Sequence, residues 1–199
     1  MSNEISAQLV KQLRERTGAG FMECKKLLGE TGGDIEQAVD LYRKSGAKAA
    51  GKKAGRATGE GAVGSYVHSN GKIGVLVEVA CETDFVAKNE TFQAFVKDLC
   101  MHVAATNPQA LTSEELAPEL VERERNVILE SEEVQKKPEE FREKIVEGKM
   151  KKFFSEVCFL DQPFVKDDKL TIQELVNERI ATIGENISIK RFVRYELGS

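Results

Sequence analysis

A hairpin signal near the middle of the chain constrains the fold more than any other feature of the sequence. Asn70-Gly71 stands between two alternating runs, AVGSYV before it and IGVLVEVA after it. Asn and Gly tolerate the positive φ angles of a two-residue hairpin turn, so the two runs are predicted to be antiparallel strands. In the second strand, Ile73, Val75 and Val77 share one face and Leu76 lies on the other. This pattern predicts a sheet with two partly apolar faces.

Three short amphipathic helices are predicted in the first 45 residues. Apolar residues recur at helical spacing in the runs 6–17, 21–30 and 35–45. Ser6 and Asp34 precede the first and third run and are predicted to be N-caps. A bundle of this size buries little surface by itself, so we expect it to leave an apolar surface exposed for a partner.

A segment rich in Gly, Ala and Lys, 46–61, is predicted to link the helical domain 1–45 to a core domain 62–199. It overlaps a stretch, 43–56, that contains cations and no acid. In a helix, cations at four-residue spacing form one stripe. The segment therefore has two interpretations, a solvated linker, which is the simpler one, and an RNA-contacting surface. No aromatic residue interleaves with these cations for base stacking. The cations are Arg43, Lys44, Lys48, Lys52, Lys53 and Arg56.

The core domain is predicted to continue with a helix and to end with a strand. Residues 90–106 carry apolar side chains at helical spacing, and Asn107-Pro108 ends that helix, which we expect to pack on the sheet. Near the C-terminus, residues 187–197 alternate apart from Phe192, which predicts a third strand for the same sheet. The predicted fold class is therefore α+β: a three-helix N-terminal domain, an antiparallel three-stranded sheet packed with helices, and a helical insertion at about 112–183.

The helical insertion is predicted from capping signals and a proline. A capping box that begins at Thr112 predicts a charged helix with Leu120, Val127 and Ile128 turned inward. Pro138 ends this helix and begins another, with Phe141 on its apolar face. A second capping box predicts a further helix over 171–183.

Cysteine and histidine show no recurring metal-ligand or catalytic spacing. The chain has no C-x-x-C pair, and His68 and His102 are its only histidines. We favour buried free thiols in a reducing cytosol over a metal site or a disulfide framework. His102 is interpreted as a surface or packing residue rather than a general base, although a pairing with His68 stays open. No metal, cofactor or covalent chemistry is expected, and a metal or thiol enzyme is a lesser alternative. The cysteines are Cys24, Cys81, Cys100 and Cys158.

Composition and charge exclude several classes of protein. Hydrophobic residues make up 41% and charged residues 31% of the chain, which is typical of a globular protein. No apolar stretch approaches the roughly 20 residues that cross a bilayer, and the polar N-terminal residues do not resemble a signal peptide. The net charge of −4 creates no overall attraction to nucleic acid. We therefore expect a cytoplasmic protein with no membrane partner and no direct nucleic-acid partner.

The segment 82–89 follows a predicted strand and precedes a predicted helix, a place where rigid scaffolds display functional loops. Thr83 or Asp84 could cap a turn there, and Phe85 could fill the core. The functional alternative is that Phe85 is held out on a tight turn beside the Asp84 carboxylate. Such a pair can act as a wedge and a charge against another protein.

These residues give the chain a resemblance to the elongation factor Ts family, the guanine-nucleotide exchange factors of elongation factor Tu. LRERTGAGFMECKKLL (13–28) and VACETDFVAKN (79–89) resemble two family motifs in family order, and QPFV (162–165) and IGENI (183–187) resemble later segments. The resemblance implies a ubiquitin-associated-like N-terminal domain, a linker, and an α+β core whose sheet carries the Thr-Asp-Phe loop. It also implies that 138–183 forms a protruding antiparallel arm. Longer members have two core subdomains, so this chain resembles a short form.

The resemblance also implies a function and a site. In family members the N-terminal domain and the core bind the nucleotide-binding domain of elongation factor Tu, with the Phe side chain near the magnesium site. The implied activity is promotion of GDP release, with binding to GDP-bound and nucleotide-free elongation factor Tu; an RNA-binding translation module that uses 43–56 is the alternative. The open sheet face of a short form predicts a homodimer. The residues implied to contact the partner are Leu13, Phe21, Met22, Thr83, Asp84, Phe85, Val86, His102 and Val103.

Overall fold

The chain combines an N-terminal bundle of three helices with a three-stranded sheet and further helices, which confirms the α+β class. The computed structural model describes residues 5–198. Two units are distinguished: one contains the residues up to Gly64, Val77–Lys97 and Glu174–Lys190, and the other contains Ser65–Leu76, Asp98–Gln173 and the residues from Arg191. The division into domains at 45 and 61 stays a prediction, and its terminal residues, 1–4 and 199, lie outside the described part.

Helices and strands are numbered in chain order. The helices are α1 (Ala7–Thr17), α2 (Phe21–Glu30), α3 (Ile35–Lys53), α4 (Asp84–Ala87), α5 (Glu90–Thr106), α6 (Pro118–Glu130), α7 (Glu132–Gln135), α8 (Glu139–Val157) and α9 (Ile172–Ile183). The strands are β1 (Glu60–Val67), β2 (Ile73–Cys81), β3 (Pro163–Phe164), β4 (Asp167–Thr171) and β5 (Ile187–Glu196).

Helices α1, α2 and α3 form the N-terminal bundle, and their predicted starts are confirmed. The Ser6 side chain accepts a hydrogen bond from the backbone N–H of Leu9 at 3.3 Å, and the Asp34 carboxylate accepts one from Gln37 N–H at 3.0 Å. These caps satisfy backbone donors that the first turn of a helix leaves without partners. The buried core of the bundle contains Val10, Leu13, Cys24, Leu28, Ala38, Val39 and Tyr42.

Helix α3 continues to Lys53, so the first part of the predicted linker is helical. Gly46 and Ala50 are buried. A Cβ atom at Gly46 would lie 3.5 Å from the carbonyl oxygen of Asn177 on α9. Small residues thus allow α3 to pack closely against α9, and this packing outweighs the weak helix propensity of glycine.

The three-stranded sheet has the strand order β1-β2-β5 and is antiparallel. The predicted hairpin of β1 and β2 is confirmed, but the two-residue turn is wrong. The N–H of His68 donates to the carbonyl oxygen of Ile73 at 2.9 Å, and Gly71 N–H donates to His68 O at 2.8 Å. The connecting loop therefore runs from Ser69 to Lys72, and Gly71 supplies the positive φ, 68°, that closes it.

Strand β5 is confirmed, but its inward face changes along the strand. Ile187 and Ile189 are buried, as the alternation predicted. Continued alternation would place Tyr195 on the same face as Ile187 and Ile189, but Tyr195 is 71% exposed. The ring of Phe192 instead packs edge-on against Phe159, with 5.3 Å between ring centroids. Because side chains alternate along a strand and Phe192 points inward, Tyr195, three residues further on, points toward solvent.

The segment 138–183, expected to form a helical arm, contains a hairpin that the sequence analysis did not predict. Helix α8 ends at Val157, and β3 and β4 pair antiparallel before α9 begins at Ile172. Strand β3 is only two residues long, and β4, DDKLT, contains a single large apolar residue, so neither strand shows an alternating pattern in the sequence.

The packing of α6 and α8 also differs from expectation. The capping box at Thr112 opens only a 3-10 turn, because Pro118 occupies the first position of α6. Val127 and Phe141, predicted to face inward, are exposed. Neighbouring positions on a helix point about 100° apart, so a helix that buries Ile128 against its partner exposes Val127. The buried residues of this cluster are Ile128, Val134, Val146 and Met150.

Candidate functional site

The segment 82–89 forms a single helical turn that holds Phe85 in solvent. Helix α4 begins soon after β2, and Thr83 is its N-cap: the Thr83 hydroxyl accepts a hydrogen bond from Val86 N–H at 3.4 Å. The Phe85 ring is 82% exposed, whereas Ala87 on the same turn is buried. The interpretation that Phe85 fills the core is therefore wrong, and the ring is available to another molecule.

A charged pair accompanies Phe85 on this turn. The Lys88 ammonium donates a hydrogen bond to Asp84 Oδ2 at 2.7 Å. This hydrogen bond lowers the pKa of the Asp84 carboxyl group and raises the pKa of Lys88. Both side chains are largely exposed, so the pair contributes little to stability. Asp84 thus presents an ionised carboxylate beside the exposed ring.

Two carboxylates hold the loop before α4 against the loop before β5. Glu185 Oε2 accepts hydrogen bonds from the backbone N–H groups of Glu82 and Thr83, at 3.1 and 3.0 Å. Glu185 Oε1 accepts a further one from the Thr83 hydroxyl at 2.7 Å. In the opposite direction, Glu82 Oε1 accepts from Asn186 N–H at 2.6 Å, which lowers the pKa of the Glu82 carboxyl group. Each loop therefore supplies the acceptor for the backbone of the other.

The end of α3 joins the same network. Arg56 lies beyond the last turn of α3, and its guanidinium is 3.4 Å from Glu82 Oε1. The Asn186 side chain donates to the carbonyl oxygen of Arg56 at 2.9 Å. Further back on α3, the Tyr42 hydroxyl lies 2.9 Å from Thr182 Oγ1 on α9. The last helix of the bundle is thus hydrogen-bonded both to α9 and to the loop that carries Phe85.

Four supporting residues were not predicted as part of the site: Arg56, Glu82, Glu185 and Asn186. Glu185 and Asn186 lie in the segment 183–187, whose resemblance to the family was noted without a role. One signal was present, because an acid directly follows the glycine that ends α9. An acid at that place is normally solvated, so the pattern alone gave no reason to select it.

The bundle exposes two of the three residues that the resemblance assigned to its partner contact. Phe21 is 51% and Met22 is 74% exposed on the first turn of α2. This pair fits the expectation that the bundle leaves an apolar surface uncovered. Leu13 has no accessible surface in the free chain because it lies in the bundle core, and its contact with a partner stays a prediction.

His102 and Val103 are also fully buried in the free chain, and their contact with a partner stays a prediction. His102 Nδ1 accepts a hydrogen bond from Val165 N–H at 3.3 Å, and Nε2 lies 2.9 Å from Gln162 Oε1. This arrangement assigns the proton of a neutral ring to Nε2. The ring stacks on Phe159 with 5.6 Å between centroids. The interpretation of His102 as a packing residue is confirmed.

Burial of His102 predicts a pH-dependent stability. Burial lowers its pKa below the ordinary value of 6.5, so the unfolded chain takes up the proton at a higher pH than the folded chain does. The contribution of the buried neutral ring to folding stability is complete above pH 6.5 and is lost as the pH falls below 6.5. We expect His102 to reduce the free energy of unfolding by up to about 1.4 kcal/mol per pH unit.

Urea unfolding of the wild type and of His102→Gln, from about pH 7 to about pH 5, measures this contribution. The slope of unfolding free energy against pH should be shallower in the variant. Equal slopes in the two proteins would assign the pH dependence to other groups.

The cysteines are placed as the sequence predicted. All four are buried. Burial raises the pKa of the Cys24 and Cys81 thiols, and that of Cys158 to about 11, so these thiols stay protonated at neutral pH. A high thiol pKa opposes nucleophilic chemistry at these positions.

Metal-binding clusters and membrane-spanning helices are both absent from residues 5–198. Within that range, His, Cys, Asp and Glu side chains do not gather in groups of three or more that could hold a metal ion. A helix with the length and apolar character needed to cross a bilayer was not found in the same range.

The basic stretch 43–56 is partly engaged by the protein itself. Arg43 and Lys53 contact α9, at 3.8 Å from a carboxylate and 3.3 Å from a main-chain carbonyl oxygen, respectively. Arg56 pairs with Glu82. The nucleic-acid surface considered from the sequence is therefore smaller than its six cations suggested, and it stays a prediction. The exposed cations at helical spacing on α3 are Lys44, Lys48 and Lys52.

Comparison with known proteins agrees with this architecture. A sequence profile described as Elongation factor TS matches residues 3–199. Elongation factor Ts of Nitratidesulfovibrio vulgaris (strain Miyazaki F) is 57% identical over 195 residues, which cover 98% of each chain. The Geobacter metallireducens protein of that name is 58% identical, covering 98% of this chain and 90% of its own length. That of a Cyanothece species is 53% identical, covering 98% and 74%.

The fold and these similarities define a translation elongation factor. The chain belongs to the elongation factor Ts family.

Proposed function

We propose that the chain promotes the release of GDP from elongation factor Tu, as a guanine-nucleotide exchange factor acting in the cytoplasm. The observation that carries the proposal is the exposed Phe85 ring beside the ionised Asp84, on a turn that Glu185 holds in place. An exposed ring on a firmly held turn can insert into a partner protein and displace the groups that bind the partner's ligand. Family membership supports the translation context.

The energetics require more than one contact. Exchange depends on a coupling between partner binding and nucleotide binding, and such a coupling is reciprocal. Weakening nucleotide binding about 10⁴-fold requires about 5.5 kcal/mol of differential binding free energy. Burial of one Phe side chain supplies about 1.5–3 kcal/mol, so Phe85 cannot act alone. The exposed Phe21 and Met22 provide further apolar contact, while Phe85 and Asp84 determine where the binding energy acts.

The direct test uses elongation factor Tu loaded with a fluorescent GDP analogue. The purified chain is added with excess unlabelled nucleotide, and the loss of fluorescence is followed over time. We expect faster release at amounts of the chain well below those of elongation factor Tu, because incoming nucleotide frees the factor for another cycle. A release rate equal to that of elongation factor Tu alone would reject the proposal.

We also propose that two copies of the chain associate through the open face of the sheet. Val67, Leu76 and Tyr195 are exposed on β1, β2 and β5. Leu76 lies between the buried Val75 and Val77, so it belongs to the face opposite the core. Large apolar side chains on one exposed sheet face favour association, and a second copy offers the same surface in a two-fold arrangement.

A double charge substitution tests this interface. Leu76→Lys combined with Tyr195→Lys is expected to convert a dimer into a monomer, because association would bury unpaired ammonium groups. Light scattering coupled to size-exclusion chromatography measures the mass in solution. Val127→Lys, at an exposed position of α6, is the matched control and should leave the mass unchanged. A monomeric wild type, or a dimeric double variant, would show that this face is not the interface.

A further inference from the structure

We infer that Glu185 is a positioning residue that fixes the direction in which Phe85 faces the partner, an inference that rests on the proposed exchange function. Glu185 acts through Glu82 and Thr83, whose backbone N–H groups it binds. These are the two residues that precede α4. Fixing them fixes the start of the turn that carries the ring.

Phe85 has little packing of its own to determine its direction. The ring is 82% exposed, so contacts with the free protein do not hold it. Helix α4 spans only Asp84–Ala87, and a single helical turn is not stable by itself. The position of the ring therefore depends on the hydrogen bonds that anchor the ends of the turn.

The Thr83 hydroxyl connects Glu185 to the turn itself. It donates to Glu185 Oε1 at 2.7 Å and accepts from Val86 N–H at 3.4 Å. The Thr83 hydroxyl thus donates its proton to Glu185, and a lone pair on its oxygen accepts the capping hydrogen bond from Val86 N–H. At the other end of the turn, the Gln93 side chain donates to the carbonyl oxygen of Ala87 at 2.5 Å.

A carboxylate is the group that this arrangement requires. All the hydrogen bonds that Glu185 makes with Glu82 and Thr83 come from donors, and a carboxylate has only acceptors. A glutamine at this position would bring an NH₂ group against one set of these donors. The backbone after Glu185 is itself held, because Asn186 N–H donates to Glu82 and the Asn186 side chain donates to the Arg56 carbonyl oxygen.

The test compares Glu185→Gln with the wild-type chain in the nucleotide-release assay. We expect the rate of GDP release at saturating factor to fall about tenfold, the factor that corresponds to about 1.4 kcal/mol in the barrier. The concentration of factor needed for half-maximal rate should change less, because Phe21 and Met22 are untouched. Glu132→Gln removes an exposed carboxylate that pairs with Lys136 and is the matched control. It should behave as the wild type does.

A double-variant comparison separates positioning from a general loss of structure. If Glu185 acts through Phe85, then Glu185→Gln adds little further effect in a chain that already carries Phe85→Ala. Independent effects that multiply would overturn the inference. So would a wild-type rate for Glu185→Gln in an assay where the wild-type chain accelerates release and Phe85→Ala does not.

Failure of the exchange function itself gives a different result, because the wild-type chain then leaves the release rate unchanged. Amide hydrogen exchange of the free chain tests the local geometry without the partner. In Glu185→Gln the amides of Glu82 and Thr83 should exchange faster, while those of Val77 and Val79 in β2 stay protected. Unchanged exchange at Glu82 and Thr83 would overturn the inference. Should Glu185→Gln fail to fold, Thr83→Val removes the hydroxyl hydrogen bonds to Glu185 and Val86 and takes its place in the release assays, where a wild-type rate would overturn the inference.

Discussion

Replacing Phe85 with alanine is expected to slow the GDP release that we propose for the chain by about 10- to 100-fold. The ring is 82% exposed, so its truncation leaves no cavity in the free protein, and the stability of the fold should be unchanged within about 0.5 kcal/mol. The lost contribution is the burial of the ring in the partner, worth about 1.5–3 kcal/mol. Because we propose that this burial accompanies the displacement of nucleotide, the loss appears in the rate.

Stopped-flow measurement over a range of factor concentrations separates the maximal release rate from the concentration that gives half of it. Phe85→Ala should lower the maximal rate and retain appreciable affinity for elongation factor Tu. Val127→Ala, which truncates another exposed apolar side chain, should change neither quantity. An unchanged maximal rate in Phe85→Ala would show that the ring is not the wedge.

The elements that the sequence predicted well are those with local signals. The caps at Ser6 and Asp34 and the positive φ of Gly71 each depend on a few neighbouring residues. The limit of helix α3 was wrong because it depends on the packing of Gly46 against a helix far along the chain. Local propensity could not show that contact.

The same distinction explains the candidate site. The exposed turn with Thr83, Asp84 and Phe85 was found because it is one continuous motif after a strand. Its supporting residues were not found, since the hydrogen bond between Asn186 and Glu82 joins positions that are 104 residues apart. A motif also does not state which side chains point outward. For that reason Leu13 and His102 were predicted to contact the partner, although both side chains are completely buried in the free chain.

The largest loss of affinity is expected from replacing both Phe21 and Met22 with alanine. Burial of a large apolar side chain is worth about 1.5–3 kcal/mol, so the two truncations together should raise the dissociation constant about 100-fold or more. Both side chains are exposed on the first turn of α2, outside the core of the bundle, so the free chain should keep its fold. Titration calorimetry with nucleotide-free elongation factor Tu measures the change, and Lys25→Ala on the same helix is the control.

The two alanine experiments separate residues that contribute affinity for elongation factor Tu from the residue that determines the maximal rate of nucleotide release. At saturating concentration, the Phe21 and Met22 double variant should reach nearly the wild-type release rate, because the turn that carries Phe85 is intact. Phe85→Ala should show the opposite pattern, with a lower maximal rate and a smaller loss of affinity. If the double variant instead lowered the maximal rate at unchanged affinity, the bundle would itself act on the nucleotide site. In that case, the hydrogen bonds of Arg56 and Asn186 at the end of α3 would be the route by which the bundle acts on the turn that carries Phe85.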